Sequence, residues 1–210
     1  MKISCSLLSC DDKMEVLKKI NNTLVDYVHI DVMDGTFVDN HAYSFLELSL
    51  INDNSLKKLD VHLMVDDPLS YIEKLDSNNI CFITFHVEIA KDIKVLINEV
   101  KKRGFKCGLS ISPDTDLEKL EPYINDIDMI LVMSVFPGYG GQAFLESTYD
   151  RVLEIKEKIN RIKPDVLIAV DGGINFEVAK KLKDYVDILV VGSYLTKGNL
   201  EENVSKLLNI

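Results

Sequence analysis

Nowhere in the 210-residue chain do about 18 apolar residues follow one another without a charge. That excludes a membrane-spanning helix. Basic residues are the minority: 24 Lys and Arg stand against 34 Asp and Glu, for a net charge of −10. A nucleic-acid binder normally presents a basic face, so nucleic acid is excluded as the expected partner. The apolar opening is brief. MKISCSLLSCDD meets acid at Asp11 and reads as a first strand rather than a secretory signal. The four cysteines, Cys5, Cys10, Cys81 and Cys107, form no CxxC pair. Buried free thiols in a reducing cytosol are therefore expected, and with them a cytoplasmic protein. Gly/Ser-rich linkers, low-complexity segments and signs of a second domain are also lacking, which leaves one domain over residues 1–210.

What is present is a regular alternation. Eight short β-rich runs occupy residues 2–7, 27–33, 59–65, 81–87, 106–112, 129–134, 166–170 and 187–191. Amphipathic stretches lie between and after them, at 11–24, 68–75, 91–103, 116–124, 146–162, 176–182 and 200–208, with a weaker helix candidate at 45–51. In 91–103, Ile93, Leu96, Ile97 and Val100 recur at helical spacing. Alternating β and α elements imply parallel strands joined by helical crossovers. Eight strands point to an α/β fold closed into a (β/α)8 TIM barrel, with a doubly wound open sheet as the alternative. At 47% hydrophobic, the chain can bury a core of that size.

Barrel chemistry gathers where the strands end, and the polar residues of this chain sit there. Strand residues alternate faces, so His29, Asp31 and Met33 share one face of the second run, and Asp60, His62 and Met64 one face of the third. The seventh run ends in Asp171. Carboxylates and neutral imidazoles are ligands for a divalent metal, and His29, Asp31, His62 and Asp171 are able to converge on one ion at the barrel mouth. Unpaired charge within apolar runs costs several kcal/mol, on the order of a whole domain's margin of stability, unless a partner or metal compensates it. Asp31 and Asp171 come from separate strands, which suits two-base proton transfer at a carbon beside a carbonyl.

Glycines cluster after the last three runs: Gly138, Gly140 and Gly141 around Tyr139, then Gly172 and Gly173, then Gly192 before Ser193. Successive backbone N–H groups in such loops form anion nests, and barrels often bind phosphate there. An acidic chain can hold an anion in this way.

These same segments carry a resemblance. HIDVMDGTFVDN (29–40), DVHLMV (60–65), VMSVFPGYGGQAF (132–144), VDGGI (170–174), the opening KISCSLLSCD and the late VVGS resemble the ribulose-phosphate 3-epimerase family. The resemblance runs from end to end. It implies a (β/α)8 barrel with one divalent cation per subunit (Zn, Fe(II), Mn or Co), held by His29, Asp31, His62 and Asp171. It also implies Asp31 and Asp171 as the acid/base pair of a metal-stabilised enediolate reaction. The substrate it implies is a ketose phosphate, ribulose 5-phosphate interconverted with xylulose 5-phosphate in the pentose phosphate pathway. Ser6 and His62 fall at substrate-contacting positions. Gly138, Tyr139, Gly140, Gly141, Gly172, Gly173, Gly192 and Ser193 fall in the phosphate-binding segments, and Met33, Met64 and Met133 on an apolar wall beside the reacting carbons. Assembly as a homo-oligomer is implied too. The chain departs from the family pattern at Cys5 and Asp39, where proline is usual, and at Tyr139, where phenylalanine is common. His86 matches a family histidine without an assigned role, and His41 is expected in an exposed loop.

Competing readings are a related epimerase of a phosphorylated ketohexose such as allulose 6-phosphate, a decarboxylase on a similar barrel, and a non-catalytic sugar-phosphate binder. The decarboxylases resemble one another in an Asp-x-Lys-x-x-Asp pattern, whereas Asp31-Val32-Met33-Asp34 has no lysine. A binder would be expected to lose a ligand or a base, and all four candidate ligands are here.

Overall fold

The computed structural model describes residues 1–77 and 79–210. Among the described residues nine strands form one sheet: β1 (Lys2–Ser6), β2 (Tyr27–Asp34), β3 (His41–Ala42), β4 (Lys58–Met64), β5 (Ile80–His86), β6 (Lys106–Ile111), β7 (Met129–Met133), β8 (Leu167–Asp171) and β9 (Ile188–Val191). All but β3 run parallel, in the order β1-β9-β8-β7-β6-β5-β4-β2, and β1 pairs back onto β2. That last pairing closes the ring and rules out the open doubly wound sheet. The eight barrel strands coincide with the eight β-rich runs to within a residue or two.

Helices cover the outside: α1 (Lys13–Ile20), α2 (Phe45–Asn54), α3 (Pro68–Ile72), α4 (Ile93–Lys102), α5 (Thr148–Ile162), α6 (Phe176–Leu182), α7 (Ser193–Thr196) and α8 (Leu200–Leu208). The stretch expected as a helix at 116–124 is a 3-10 helix, Leu117–Asp126, with Pro122 inside it. Proline lacks the N–H that an α-helical turn needs at that point. Asp12, Asp92, Asn175 and Asn199 cap α1, α4, α6 and α8 with side-chain oxygens, and Ser44 with Glu47 forms a capping box on α2. Such caps are each worth about 1 kcal/mol.

Period-two alternation splits each strand between two environments. Outward residues such as Ile3, Val28, Ile30, Val61, Leu63, Leu109, Ile130, Val170 and Leu189 pack under the helices in the main core. They meet the stripe Ile93, Leu96, Ile97 and Val100 of α4, buried as the spacing predicts. Inside the ring the lining is uneven. Tyr27, Phe82, Met129, Leu131, Ala169, Ile188 and Val190 form an apolar cluster. Ser4, His29, Asp31, Asp60, His62, Thr84, His86 and Ser110 are buried polar side chains of β1, β2, β4, β5 and β6.

β3 pairs antiparallel with the tip of β2, matching Met33 to Ala42 and Asp34 to His41. β1 stops pairing at His29, so the end of β2 has a free edge for it. His41 is exposed as expected, though in this short strand rather than a loop. All four cysteines are free, with Cys5 and Cys107 buried and Cys10 and Cys81 half-buried. Among the described residues, no helix is long and apolar enough to cross a membrane.

Candidate active site

Parallel register brings the candidate ligands level. Asp31 of β2 lies opposite His62 of β4, Ser6 of β1 opposite His29, and Met133 of β7 opposite Asp171 of β8. One ligand atom from each of His29, Asp31, His62 and Asp171 lies within 4.8 Å of the others. His29 Nε2 is 3.1 Å from Asp31 Oδ1 and 3.8 Å from Asp171 Oδ2, and His62 Nδ1 is 3.3 Å from Asp31 Oδ1. Tetrahedral ligands held about 2.0–2.2 Å from a cation lie about 3.3–3.6 Å apart. The donor set suits one divalent ion, the ligand atoms are gathered to near that spacing, and the four residues could hold it.

The electrostatics are those of a site built for positive charge. Burial works to lower the pKa of His29, but the Asp31 and Asp60 carboxylates outweigh it and hold the imidazole well above its usual value. Burial works to raise Asp31, and His29 and His62 more than reverse that. Asp171 goes the other way: burial, then the Asp31 charge, push it up to about 7. His62 is pushed down to about 4, chiefly by burial. Two carboxylates in one cleft are thus driven apart, one strongly ionised and one ready to carry a proton, which is the pattern of an acid/base pair.

A cleft opens over this cluster. Its wall includes Ser6, Asp31, Met33, Met64, Met133, Asp171, the segment from Gly138 to Gly141, Gly172, Gly173, Gly192 and Ser193. His29 and His62 are fully buried behind that wall and do not line the cleft. Ser6 Oγ donates to Asp31 Oδ2 at 2.9 Å. The glycine loops follow β7, β8 and β9. Gly172 and Gly173 have φ of +119° and +63°, and a Cβ on Gly173 would strike the Phe144 backbone. Only glycine permits that close approach.

The loop over the cleft is braced from both sides. Gln142 donates to the Phe136 and Tyr139 carbonyls. Asn40 Nδ2 donates to Gly138 O at 2.7 Å, and Tyr139 Oη donates to Asp39 O at 2.6 Å. The loops after β2 and β7 are thereby latched together.

Sequence reasoning assigns no role to Ser4, Asp60 or Glu88; the structure places Ser4 and Asp60 behind His29 and Glu88 against His86. Asp60 Oδ2 lies 2.7 Å from His29 Nδ1 and accepts from Ser4 Oγ at 3.0 Å. It holds the ring with Nε2 turned to Asp31. Glu88 Oε2 lies 3.0 Å from His86 Nδ1. Although burial works to raise Glu88, its bond to His86 leads the opposing interactions that take it down to about 2. Asp60 shares a face with His62, so its inward direction is visible in the sequence. That it meets His29 depends on the β2–β4 register, which period alone does not reveal.

Fold and cleft together define the class: a (β/α)8 barrel enzyme with a His/Asp cluster that could hold a metal ion, facing glycine-rich loops. The chain is similar in fold to the solved structure of 3-hexulose-6-phosphate synthase from Salmonella typhimurium, with a TM-score of 0.73, 15% identity, and coverage of 100% of this chain and 97% of that one. The ribulose-phosphate 3 epimerase family model matches residues 2–196. Ribulose-phosphate 3-epimerase of Chlamydia pneumoniae is 38% identical over 181 residues, 85% of this chain and 79% of that protein. The enzyme of the same name from Helicobacter pylori strain J99 is 36% identical over 197 residues, 93% of this chain and 90% of that one. The chain belongs to the ribulose-phosphate 3-epimerase family.

Proposed function

We propose that the protein interconverts D-ribulose 5-phosphate and D-xylulose 5-phosphate by inverting C3, and that residues 1–210 act as one catalytic barrel. The observation that carries this reading is the pair Asp31 and Asp171, which reach one cleft from strands with two others between them in the ring. One carboxylate takes the C3 proton and the other, already protonated, returns one to the opposite face. The two then hold exchanged protonation states, which exchange with water resets.

His29, Asp31, His62 and Asp171 hold one divalent cation, and their two imidazoles and two carboxylates suit Zn, Fe(II), Mn or Co. Bound there, the cation supplies Lewis-acid stabilisation of the negative charge that deprotonation leaves on the substrate. Ser6 braces Asp31 and faces the substrate. Met33, Met64 and Met133 offer it an apolar wall that keeps competing hydrogen-bond donors away. The backbone of Gly138, Tyr139, Gly140 and Gly141, of Gly172 and Gly173, and of Gly192 and Ser193 binds the phosphate. His62 serves the same reading as a metal ligand and as a substrate contact. A cytoplasmic homo-oligomer belongs to the same reading, supported by the free thiols and the family resemblance. An acidic chain supports a small anionic substrate rather than nucleic acid.

The test is turnover of ribulose 5-phosphate by metal-loaded protein in heavy water, beside a panel of hexulose phosphates. The expected product is xylulose 5-phosphate carrying deuterium at C3. Product without deuterium would sink the two-base mechanism, and preference for a hexulose phosphate would sink the substrate assignment.

A further inference from the structure

We infer that Glu88 and His86 form a positioning relay that fixes the proton of His62 on Nε2 and so turns the Nδ1 lone pair into the metal cluster. The inference rests on the metal reading above and goes beyond its ligand set.

The relay is a continuous line of contacts. Glu88 Oε1 accepts the Ser112 backbone N–H at 2.7 Å, which anchors the carboxylate to the end of β6. Arg151 fastens the same segment by donating to the Ser112 and Thr115 carbonyls at 3.0 and 2.9 Å. The other oxygen, Oε2, lies 3.0 Å from His86 Nδ1. His86 Nε2 lies 3.0 Å from His62 Nε2, with ring centroids 5.0 Å apart and planes 24° from parallel. The two rings meet nitrogen to nitrogen at the distance of an N–H···N bond. His62 Nδ1, on the far side of its ring, faces Asp31 Oδ1 at 3.3 Å. Both imidazoles are fully buried. The Phe37 ring lies over His86 with centroids 4.7 Å apart.

Proton logic gives the line a direction. A carboxylate only accepts, so His86 carries its proton on Nδ1. With its proton on Nδ1, His86 offers Nε2 as the acceptor for His62 Nε2–H. That leaves His62 Nδ1 without a proton, opposite a carboxylate oxygen. Two acceptors at that distance repel unless a cation lies between them. Asp60 performs the shorter version of this task on His29. Partners of this kind set which nitrogen of a histidine binds metal.

Glu88→Gln discriminates between this role and simple packing. The new side chain keeps size and shape. Its carbonyl oxygen takes the Ser112 amide, which places the NH2 against His86 Nδ1. The relay then inverts: His86 donates through Nε2 and the proton of His62 moves to Nδ1, into the metal cluster.

The experiment is nitrogen-15 NMR of the four histidines in the zinc-loaded full-length protein, together with zinc affinity by chelator competition. In the wild-type protein, His62 is expected to carry a proton on Nε2 and metal on Nδ1. In Glu88→Gln, zinc is expected to bind about 10- to 100-fold more weakly. Should that variant fail to fold, the wild-type spectrum decides alone. Zinc held through His62 Nε2, or held without His62, overturns the relay and leaves the metal site standing. Folded Glu88→Gln that binds zinc as tightly as wild type overturns the relay in the same way. Wild-type protein that takes up none of Zn, Mn, Co and Fe(II) overturns the relay and the metal reading together.

Discussion

Asp31 and Asp171 are the same chemical group in one cleft, yet their surroundings give them opposite tendencies. Asp31 faces two imidazoles and a serine hydroxyl, while Asp171 feels burial and the Asp31 charge first. Asp171 also keeps 16% of its side chain exposed where the cleft opens. Asp171→Asn preserves shape and removes the ability to accept a proton. With excess metal supplied to offset the weakened ligand, turnover is expected to fall by about 10² to 10⁴, the usual weight of a general acid or base. Far-UV circular dichroism should be unchanged. In heavy water the remaining aspartate should still exchange the C3 hydrogen of one epimer, without inverting it. A variant that keeps wild-type turnover would remove Asp171 from the mechanism.

At the scale of elements, the cleft depends on two loops that meet above it. Asp39 and Tyr139 are both departures from the family pattern, and the structure joins them through one hydrogen bond. The tyrosine hydroxyl supplies a tie that phenylalanine lacks, at the loop where proline's stiffness is missing. Tyr139→Phe should loosen the latch by about 0.5–1.5 kcal/mol. The expected result is a KM for the sugar phosphate raised a few-fold, with kcat nearly unchanged, because the latch acts on binding rather than on proton transfer. Steady-state kinetics would show it, and a fall confined to kcat would contradict it. These loops also mark where the sequence stops being informative. The eight barrel strands are legible because short β-rich runs recur between amphipathic stretches, and Phe176–Leu182 and Leu200–Leu208 emerge with their boundaries. β3 and α7 are not, because two residues carry no strand pattern and four make barely one helical turn, too short to show a helical period. The four candidate ligands are visible as inward polar residues at strand ends. Asp60 gains its role only in three dimensions, because its partner His29 lies on the neighbouring strand and register brings them together. Glu88 stands two residues from His86 in the chain, but its link to the cluster runs on to His62, across from β5 to β4.

For the whole molecule, the uneven barrel interior separates folding from function. The apolar shell between strands and helices, with the Tyr27–Phe82–Leu131 side of the interior, needs no ion to hold it. The polar side packs several acids and imidazoles out of reach of water, and such groups stabilise a fold only when their charges are matched. Metal removal should therefore leave a folded but less stable barrel, not an unfolded chain. A cation at about 1,000 times its Kd adds about 4 kcal/mol to the folded state. For a chain of this size that corresponds to a Tm higher by about 8–16 °C. Chelation followed by calorimetry should show this drop with far-UV circular dichroism retained at 25 °C, and restoring Zn, Mn, Co or Fe(II) should recover it. Asp171→Asn should shrink the increment, because one of the four ligands has lost its charge. If none of these ions moves the Tm of the wild-type protein, the buried cluster is matched by protons alone, and the metal-binding role given to His29, Asp31, His62 and Asp171 fails.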